Sequence, residues 1–193
     1  MFADIKSALR PAIVLTILFA LLLGVAYPLA LTGIGQLVFP SQANGSLIRD
    51  AQGNVTGSSL LAQGFAQDRY FHPRPSAAGK GYDALASAGS NLGPASQALH
   101  DRVKADAAAL SPTPGQSVPA DLVTASASGL DPHISPEAAF FQVARVAKAR
   151  SWPEPKVREM VEAAIERPLL GFLGEPRVNV LLLNRQLDAT SPQ

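Results

Sequence analysis

The feature that most constrains this chain is a long uncharged apolar stretch close to its N-terminus. No Asp, Glu, Lys or Arg occurs between Arg10 and Arg49, and the residues from Ala12 to Leu31 are almost all apolar. A helix of ~20 apolar residues crosses the ~30 Å hydrocarbon core of a bilayer, because each residue adds ~1.5 Å. The sequence therefore predicts one transmembrane helix at residues 11–38, followed by a separate domain at residues 39–193.

A cleaved signal peptide is the alternative to a retained anchor. Lys6 and Arg10 resemble the basic start of such a peptide, and residues 24–26 are small enough for a cleavage site. The apolar character nevertheless continues past Tyr27 as far as Ile34, whereas a signal core needs only ~7–15 apolar residues. We therefore expect the helix to stay in the mature protein.

The distribution of charge around the helix predicts its orientation. Lys6 and Arg10 lie just before the span, whereas Arg49, the first basic residue after it, is followed by Asp50. Basic residues beside a span mark its cytosolic end. We expect residues 1–10 in the cytosol and a single-pass protein of the cell inner membrane, with its domain in the periplasm of a Gram-negative cell. The absence of cysteine is compatible with that compartment.

The domain after the helix carries no net charge. The formal charge of the whole chain is +1, and Lys6, Arg10 and Asp4 together account for it. A neutral domain has no long-range field to attract nucleic acid or to steer cations. Nucleic acid is therefore not an expected partner.

The domain is predicted to be α+β, with a small sheet and about three helices. A hairpin with a turn at Gly53 is expected within residues 46–61. Residues 69–93 are rich in Pro, Gly, Ser and Ala without a sustained period, which predicts a long loop. Apolar spacing and Ser or Pro boundaries predict further elements: helices at 94–110, 135–150 and about 154–168, a proline-rich linker at 111–119 and a strand at 178–183.

Three short motifs suggest chemistry, and each has a simpler structural interpretation. Asp131 and His133 flank a proline and suggest a metal or acid–base pair, although Asp-Pro also starts turns. Ser126 and Ser128 supply candidate nucleophiles for a serine hydrolase but lack the Gly-x-Ser-x-Gly pattern, so hydroxyls bonded to local backbone are the alternative. Residues 79–81 read Gly-Lys-Gly without the preceding glycine and strand of a phosphate-binding loop.

Five segments of the domain together resemble the C subunit of the potassium-transporting Kdp ATPase. They occur in the order and spacing of that family, and the resemblance runs from the anchor to about Leu187. The segments are Arg74-Pro-Ser-Ala, Gly89-Ser-Asn-Leu-Gly-Pro, Asp121-Leu-Val-Thr-Ala-Ser-Ala-Ser-Gly-Leu-Asp-Pro-His-Ile-Ser-Pro, Gln142-Val-Ala-Arg-Val-Ala and Gly174-Glu-Pro-Arg-Val-Asn-Val.

The resemblance implies an accessory subunit without chemistry of its own and without a stably bound cofactor. The expected partners are a channel-like potassium-binding subunit, a P-type ATPase subunit, a small single-span subunit and membrane lipid. The residues expected to form the family motif or to contact partners are Arg74, Ser76, Asn91, Ser126, Ser128 and Asp131. The loop that carries the first three is expected to be ordered, with Asn91 close to residues 124–131. A membrane-anchored periplasmic hydrolase and an anchored binding module remain the alternatives.

The family has also been described as a catalytic chaperone that raises the ATP affinity of the catalytic subunit. If the resemblance extends to direct nucleotide binding, Gln142 and Arg145 are the expected contacts. The alternative is that both side chains brace the loop before their helix. The predicted orientation favours this alternative, because ATP is cytosolic and these residues are predicted to lie outside. ATP is then expected only through the catalytic subunit.

Overall fold

The computed structural model describes residues 2–110 and 117–190, and it divides into two compact units, Met1–Ser58 and Ser59–Gln193. The first unit contains the N-terminal helix and a two-stranded hairpin. The second contains four α-helices and a three-stranded sheet. The predicted α+β class is confirmed. Of the predicted linker at 111–119, residues 111–116 lie outside the described residues.

The first unit begins with a long helix that widens at its middle. Helix α1 spans Phe2–Leu21, a π turn spans Leu22–Ala26, and α2 spans Tyr27–Val38. The ring of Pro28 would collide with the carbonyl four residues earlier in a regular α-helix. The π turn accommodates this proline, and the Tyr27 N–H donates to the carbonyl of Leu22, five residues back. The segment Ile5–Val38 is long and apolar enough to cross a membrane.

The predicted hairpin follows a short helix, α3, at Pro40–Ala43. Strand β1 (Leu47–Arg49) pairs antiparallel with β2 (Val55–Ser58). The turn contains Gly53 with a φ of 86°, in the left-handed region that glycine adopts without strain. The Asp50 carboxylate accepts hydrogen bonds from the backbone and side chain of Asn54, and the side-chain bond lowers the pKa of Asp50.

The second unit builds its sheet from strands that are distant in sequence. Its antiparallel strand order is β3–β5–β4, with Ile134 and Ile165 on either side of Val178. The elements, in chain order, are α4 (Gln97–Leu110), a 3₁₀ turn (Ala120–Leu122), β3 (His133–Ile134), α5 (Pro136–Arg150), α6 (Glu154–Ala163), β4 (Ile165–Glu166), β5 (Arg177–Asn179) and α7 (Val180–Thr190).

Helix α5 confirms the prediction most closely. The Ser135 hydroxyl accepts a hydrogen bond from the Ala138 N–H, as an N-cap should, and Pro136 occupies the first turn. The helix ends at Arg150, where Ser151 takes a left-handed conformation. Helix α4 begins at Gln97, three residues later than predicted.

Two predictions near the C-terminus were wrong. The strand expected at 178–183 ends at Asn179, and the remaining residues begin α7. The Asn179 side chain accepts a hydrogen bond from the Leu182 N–H and so caps this helix, in which Val180, Leu181 and Leu183 are buried and Leu182 is exposed. Helix α6 ends at Ala163 rather than near Pro168, because Ile165 and Glu166 pair with β5 instead.

The core lies where α5, α6 and α7 pack against the three-stranded sheet. Its fully buried members include Val143, Val157, Val161 and Leu183 from the helices. Phe71 joins them from the long loop and is also fully buried. The loop between β2 and α4 is therefore part of the packed domain although it has no helix or strand of its own.

Candidate functional site

The long loop is held by two side-chain amides from two different helices. Asn184 of α7 binds the backbone of Phe71, accepting from its N–H at 2.8 Å and donating to its carbonyl at 2.9 Å. Gln142 of α5 binds His72 in the same way, at 2.8 Å and 3.1 Å. Each amide makes the pair of bonds that a neighbouring β-strand would make. We call Asn184 and Gln142 the amide clamp.

Gln142 has used all of its hydrogen-bonding capacity. Besides the two bonds to His72, its oxygen accepts from Arg145 Nη2 at 2.7 Å and its nitrogen donates to the Ala138 carbonyl at 3.2 Å. A carboxamide offers two acceptor sites and two donors, and all four are occupied. The side chain is only 3% exposed.

Arg145 extends the clamp to the start of the loop. Its Nη1 donates to the Asp68 carbonyl at 2.8 Å and lies 3.5 Å from His72 Nε2. Burial lowers the pKa of His72, and the neighbouring Arg145 charge lowers it further. Burial also lowers the pKa of Arg145. Gln142 and Arg145 thus lie together and contact the loop, which is the arrangement expected if they brace it.

The clamp places Arg74 against the segment 124–131. Arg74 Nε lies 3.3 Å from the Thr124 carbonyl, and Nη2 lies 3.2 Å from the Thr124 hydroxyl and 3.4 Å from the Ala125 carbonyl. Nη1 faces an Asp131 carboxylate oxygen at 3.6 Å. The guanidinium therefore joins the two ends of this segment.

Ser76 and Gly129 fix the next part of the loop on the same segment. The Ser76 hydroxyl donates to the Gly129 carbonyl at 2.6 Å and accepts from the Tyr82 N–H at 2.8 Å. Gly129 has a φ of 66°, and a Cβ added there would lie 2.6 Å from the Ala88 carbonyl oxygen and 2.7 Å from the Ala78 nitrogen. Only glycine fits between these two stretches of loop.

The two serines of the motif bond to nearby backbone. Ser126 Oγ accepts from the Gly129 N–H at 2.9 Å, and Ser128 Oγ accepts from the Leu130 N–H at 3.1 Å. The Ser128 carbonyl in turn accepts from the Ala88 N–H at 3.0 Å. These contacts match the structural interpretation of the serines. The bond at Ala88 brings the loop into contact with this segment three residues before Asn91. Asn91 itself is exposed and has a left-handed φ of 52°.

The segment and the loop form an open groove of about 550 Å³. Its lining is partly apolar and partly polar. The apolar lining residues are Leu60, Ala125, Ala127, Leu130 and Pro132, and the polar ones are Arg74, Ser126, Ser128, Asp131 and His133. The groove thus collects four of the predicted motif residues and adds His133, whereas Ser76, Asn91, Gln142 and Arg145 are not among its lining residues.

Acidic and basic side chains alternate from Asp131 and His133, which line the groove, to Glu166 and Arg177. His133 Nδ1 lies 3.3 Å from Asp131 Oδ1, and its Nε2 lies 3.9 Å from Glu166 Oε2. Glu166 also pairs with Arg177 Nε at 2.9 Å. Asp131 and His133 therefore converge, but within residues 2–110 and 117–190 no three His, Asp or Glu side chains are placed to hold a metal ion.

Sequence reasoning missed two of the residues that assemble this groove, Asn184 and Gly129. Asn184 is 1% exposed within the otherwise apolar face of α7, and a lone amide in such a face was the available signal. Gly129 lies within a recognised motif, but its role requires the loop that folds over it. Phe71 and Asn184 bond to each other although they are more than 100 residues apart in sequence. No local sequence pattern indicates such a contact.

In sequence, an α+β domain follows one N-terminal apolar helix, and comparisons with known proteins identify the family. Residues 9–189 match the family model described as K⁺-transporting ATPase, C chain. The potassium-transporting ATPase KdpC subunit of Caulobacter vibrioides is 61% identical over 187 residues, which cover 96% of this chain and 95% of that one. The chain belongs to the KdpC family, as its motifs predicted.

More distant members of the family match over similar lengths. The KdpC subunit of Myxococcus xanthus is 54% identical, and the match covers 97% of this chain and 89% of that subunit. That of Koribacter versatilis is 50% identical and covers 97% of both chains. The similarity therefore includes the N-terminal helix as well as the domain.

Proposed function

We propose that this chain is an accessory subunit of a high-affinity, ATP-driven potassium-uptake complex. It stabilises the assembly of a channel-like potassium-binding subunit with a P-type ATPase subunit, and it contributes no catalytic group. The observation that carries the proposal is the family match over residues 9–189, together with relatives whose names describe subunits of a potassium-transporting ATPase. A small single-span subunit and membrane lipid are further partners in this proposal.

The proposed location is the inner membrane, with one span, a cytosolic N-terminus and a periplasmic domain. The apolar segment Ile5–Val38 supports the span. Lys6 and Arg10 at its start support the orientation, since basic residues remain on the cytosolic side. The domain boundaries in this proposal are residues 1–10, 11–38 and 39–193.

The contacts of the motif residues support a role in shape rather than in chemistry. Arg74 and Ser76 donate hydrogen bonds to backbone carbonyls of Thr124 and Gly129, and the Ser126 and Ser128 hydroxyls accept from nearby N–H groups. Side chains that bond to nearby backbone in this way stabilise the local conformation. We interpret the groove as a surface that receives a segment of a partner subunit.

Any effect on ATP affinity then reaches the nucleotide indirectly. The Gln142 amide has no unused donor or acceptor, and Arg145 is committed to Asp68 and Gln142. In our proposal these side chains position the loop, and ATP binds to the catalytic subunit alone. Conformational coupling between distant sites typically changes affinity by ~1–3 kcal/mol and is reciprocal.

Co-purification tests the proposal. The tagged full-length chain, expressed with the other subunits, should retain both larger subunits through purification in mild detergent. Arg145→Ala should leave the ATP affinity of fully assembled complex unchanged. A large loss confined to ATP affinity, together with cross-linking of an ATP analogue to this chain, would contradict the mechanism. Loss of an enzymatic activity in Ser128→Ala with intact assembly would favour the hydrolase instead.

A further inference from the structure

The connection between strands β4 and β5 carries a contiguous group of large apolar side chains that are exposed. Leu169, Leu170, Phe172 and Leu173 are 71%, 75%, 73% and 53% exposed. We call residues 169–173 the apolar tip. Single exposed apolar residues are ordinary, but a contiguous group of large ones marks a surface that binds something.

The apolar tip has a defined shape. Leu169 and Leu173 form an antiparallel bridge, the Gly171 N–H donates to the Pro168 carbonyl at 3.1 Å, and the Leu173 N–H donates to the Leu169 carbonyl at 3.1 Å. Leu170 has a φ of 56°, a left-handed conformation that is unfavourable for a residue with a Cβ. The turn therefore holds its leucines and phenylalanine outward at some conformational cost.

We infer that the apolar tip inserts into an apolar pocket on the extracytosolic face of another subunit of the potassium-transporting ATPase. This inference rests on the proposed function, since it requires the chain to be a subunit of that complex. A preorganised shape binds a protein pocket with a smaller entropy loss than a mobile loop would. Large apolar and aromatic side chains inserted into pockets are the usual anchors of protein interfaces.

A lipid surface fits the apolar tip less well. Binding to a membrane surface gains affinity from the attraction of basic residues to anionic lipid as well as from buried apolar area. Around this tip the basic residues Arg167 and Arg177 are balanced by Glu166 and Glu175, and Arg177 is paired with Glu166 at 2.9 Å. Fluid lipid also places no demand on the fixed geometry of the turn.

A second copy of the chain fits less well because of size. A stable interface between separate proteins takes ~20–30 residues on each side. The tip supplies four apolar side chains, so it suits an anchor point within a larger contact that other parts of the complex complete. A partner already held in the same membrane assembly meets this requirement.

Substitution at the tip tests the inference. In the full complex, Phe172→Ser and Leu170→Ser should each reduce the amount of larger subunits that co-purify, by about tenfold or more if the tip is a central anchor. The matched control is Leu85→Ser, which changes a leucine that is 99% exposed in the long loop, and it should co-purify like the wild type. Unchanged Trp152 fluorescence would show that each variant is folded.

Cross-linking identifies the occupant. A photoreactive amino acid at position 172, activated in membranes, should form an adduct with one of the larger subunits. An adduct with lipid alone, with a second copy alone, or with nothing would overturn the inference. If the wild-type chain fails to co-purify, the proposed function fails; if it co-purifies and the Phe172 and Leu170 variants do so equally, only this inference fails.

Discussion

Replacing Gln142 with methionine separates a structural role of this residue from a nucleotide-binding role. Methionine has a similar length and no branching, so it fills the same space without donors or acceptors. The substitution removes the bonds to Ala138 and Arg145 and both bonds to His72. The partly buried backbone N–H and carbonyl of His72 are then left without this partner.

The magnitude follows from these four bonds. Each of the four hydrogen bonds contributes ~1 kcal/mol net to the free energy of unfolding, so their removal loses ~4 kcal/mol. The added burial of an apolar side chain offsets ~1 kcal/mol of this loss. We therefore expect Gln142→Met to lower the free energy of unfolding by about 3 kcal/mol.

Urea unfolding of the full-length chain in detergent measures this change. Trp152 is the only tryptophan and lies just after α5, so its fluorescence reports on this part of the domain. Lys148→Met, on the exposed face of the same helix, is the control and should change the stability by less than ~0.5 kcal/mol. An unchanged unfolding midpoint for Gln142→Met would refute the clamp, particularly if ATP affinity fell in its place.

Three further predictions follow from other parts of the structure. Gly129→Ala should destabilise the domain by ~2–4 kcal/mol because of its left-handed φ and the backbone atoms within 2.7 Å, whereas Gly93→Ala, with nothing within 4 Å, should be close to neutral; equal unfolding midpoints would contradict this. Burial lowers the pKa of His72 below 6.5, so the unfolded chain binds more protons and the free energy of unfolding should fall as the pH drops below about 6.5. Urea titrations should show this fall in the wild type and a smaller one in His72→Gln, and identical pH dependence would count against it. Mass spectrometry of the mature protein should find residues 1–26 retained, and a chain that begins near Tyr27 would show that they are a signal peptide.

Local sequence patterns predicted those elements whose signals are local. The glycine turn of the first hairpin and the Ser135-Pro136 start of α5 depend only on neighbouring residues, and both are present. The apolar run at 178–183 was ambiguous, because short apolar runs fit a strand or a buried helix. The cap at Asn179 decided the outcome, and its effect depended on the pairing of β5.

The groove was only partly predictable for a physical reason. The motif segments include Arg74 and residues 126–131, but the contacts that bring them together join residues about 50 positions apart. The clamp by Gln142 and Asn184 spans 70 and 113 positions. Such contacts depend on the packing of α5 and α7, which no periodicity within the loop reports.

The central claim is that the subunit works from outside the cytosol. The most direct test is to determine on which side of the membrane the domain lies. Because the chain has no cysteine, single cysteines can be introduced and labelled with a membrane-impermeant maleimide in intact spheroplasts. We predict that Lys80→Cys is labelled in intact spheroplasts, whereas Ser7→Cys is labelled only after the membrane is permeabilised. Labelling of Ser7→Cys in intact spheroplasts, with Lys80→Cys protected until permeabilisation, would place the domain in the cytosol beside ATP and contradict the proposed role.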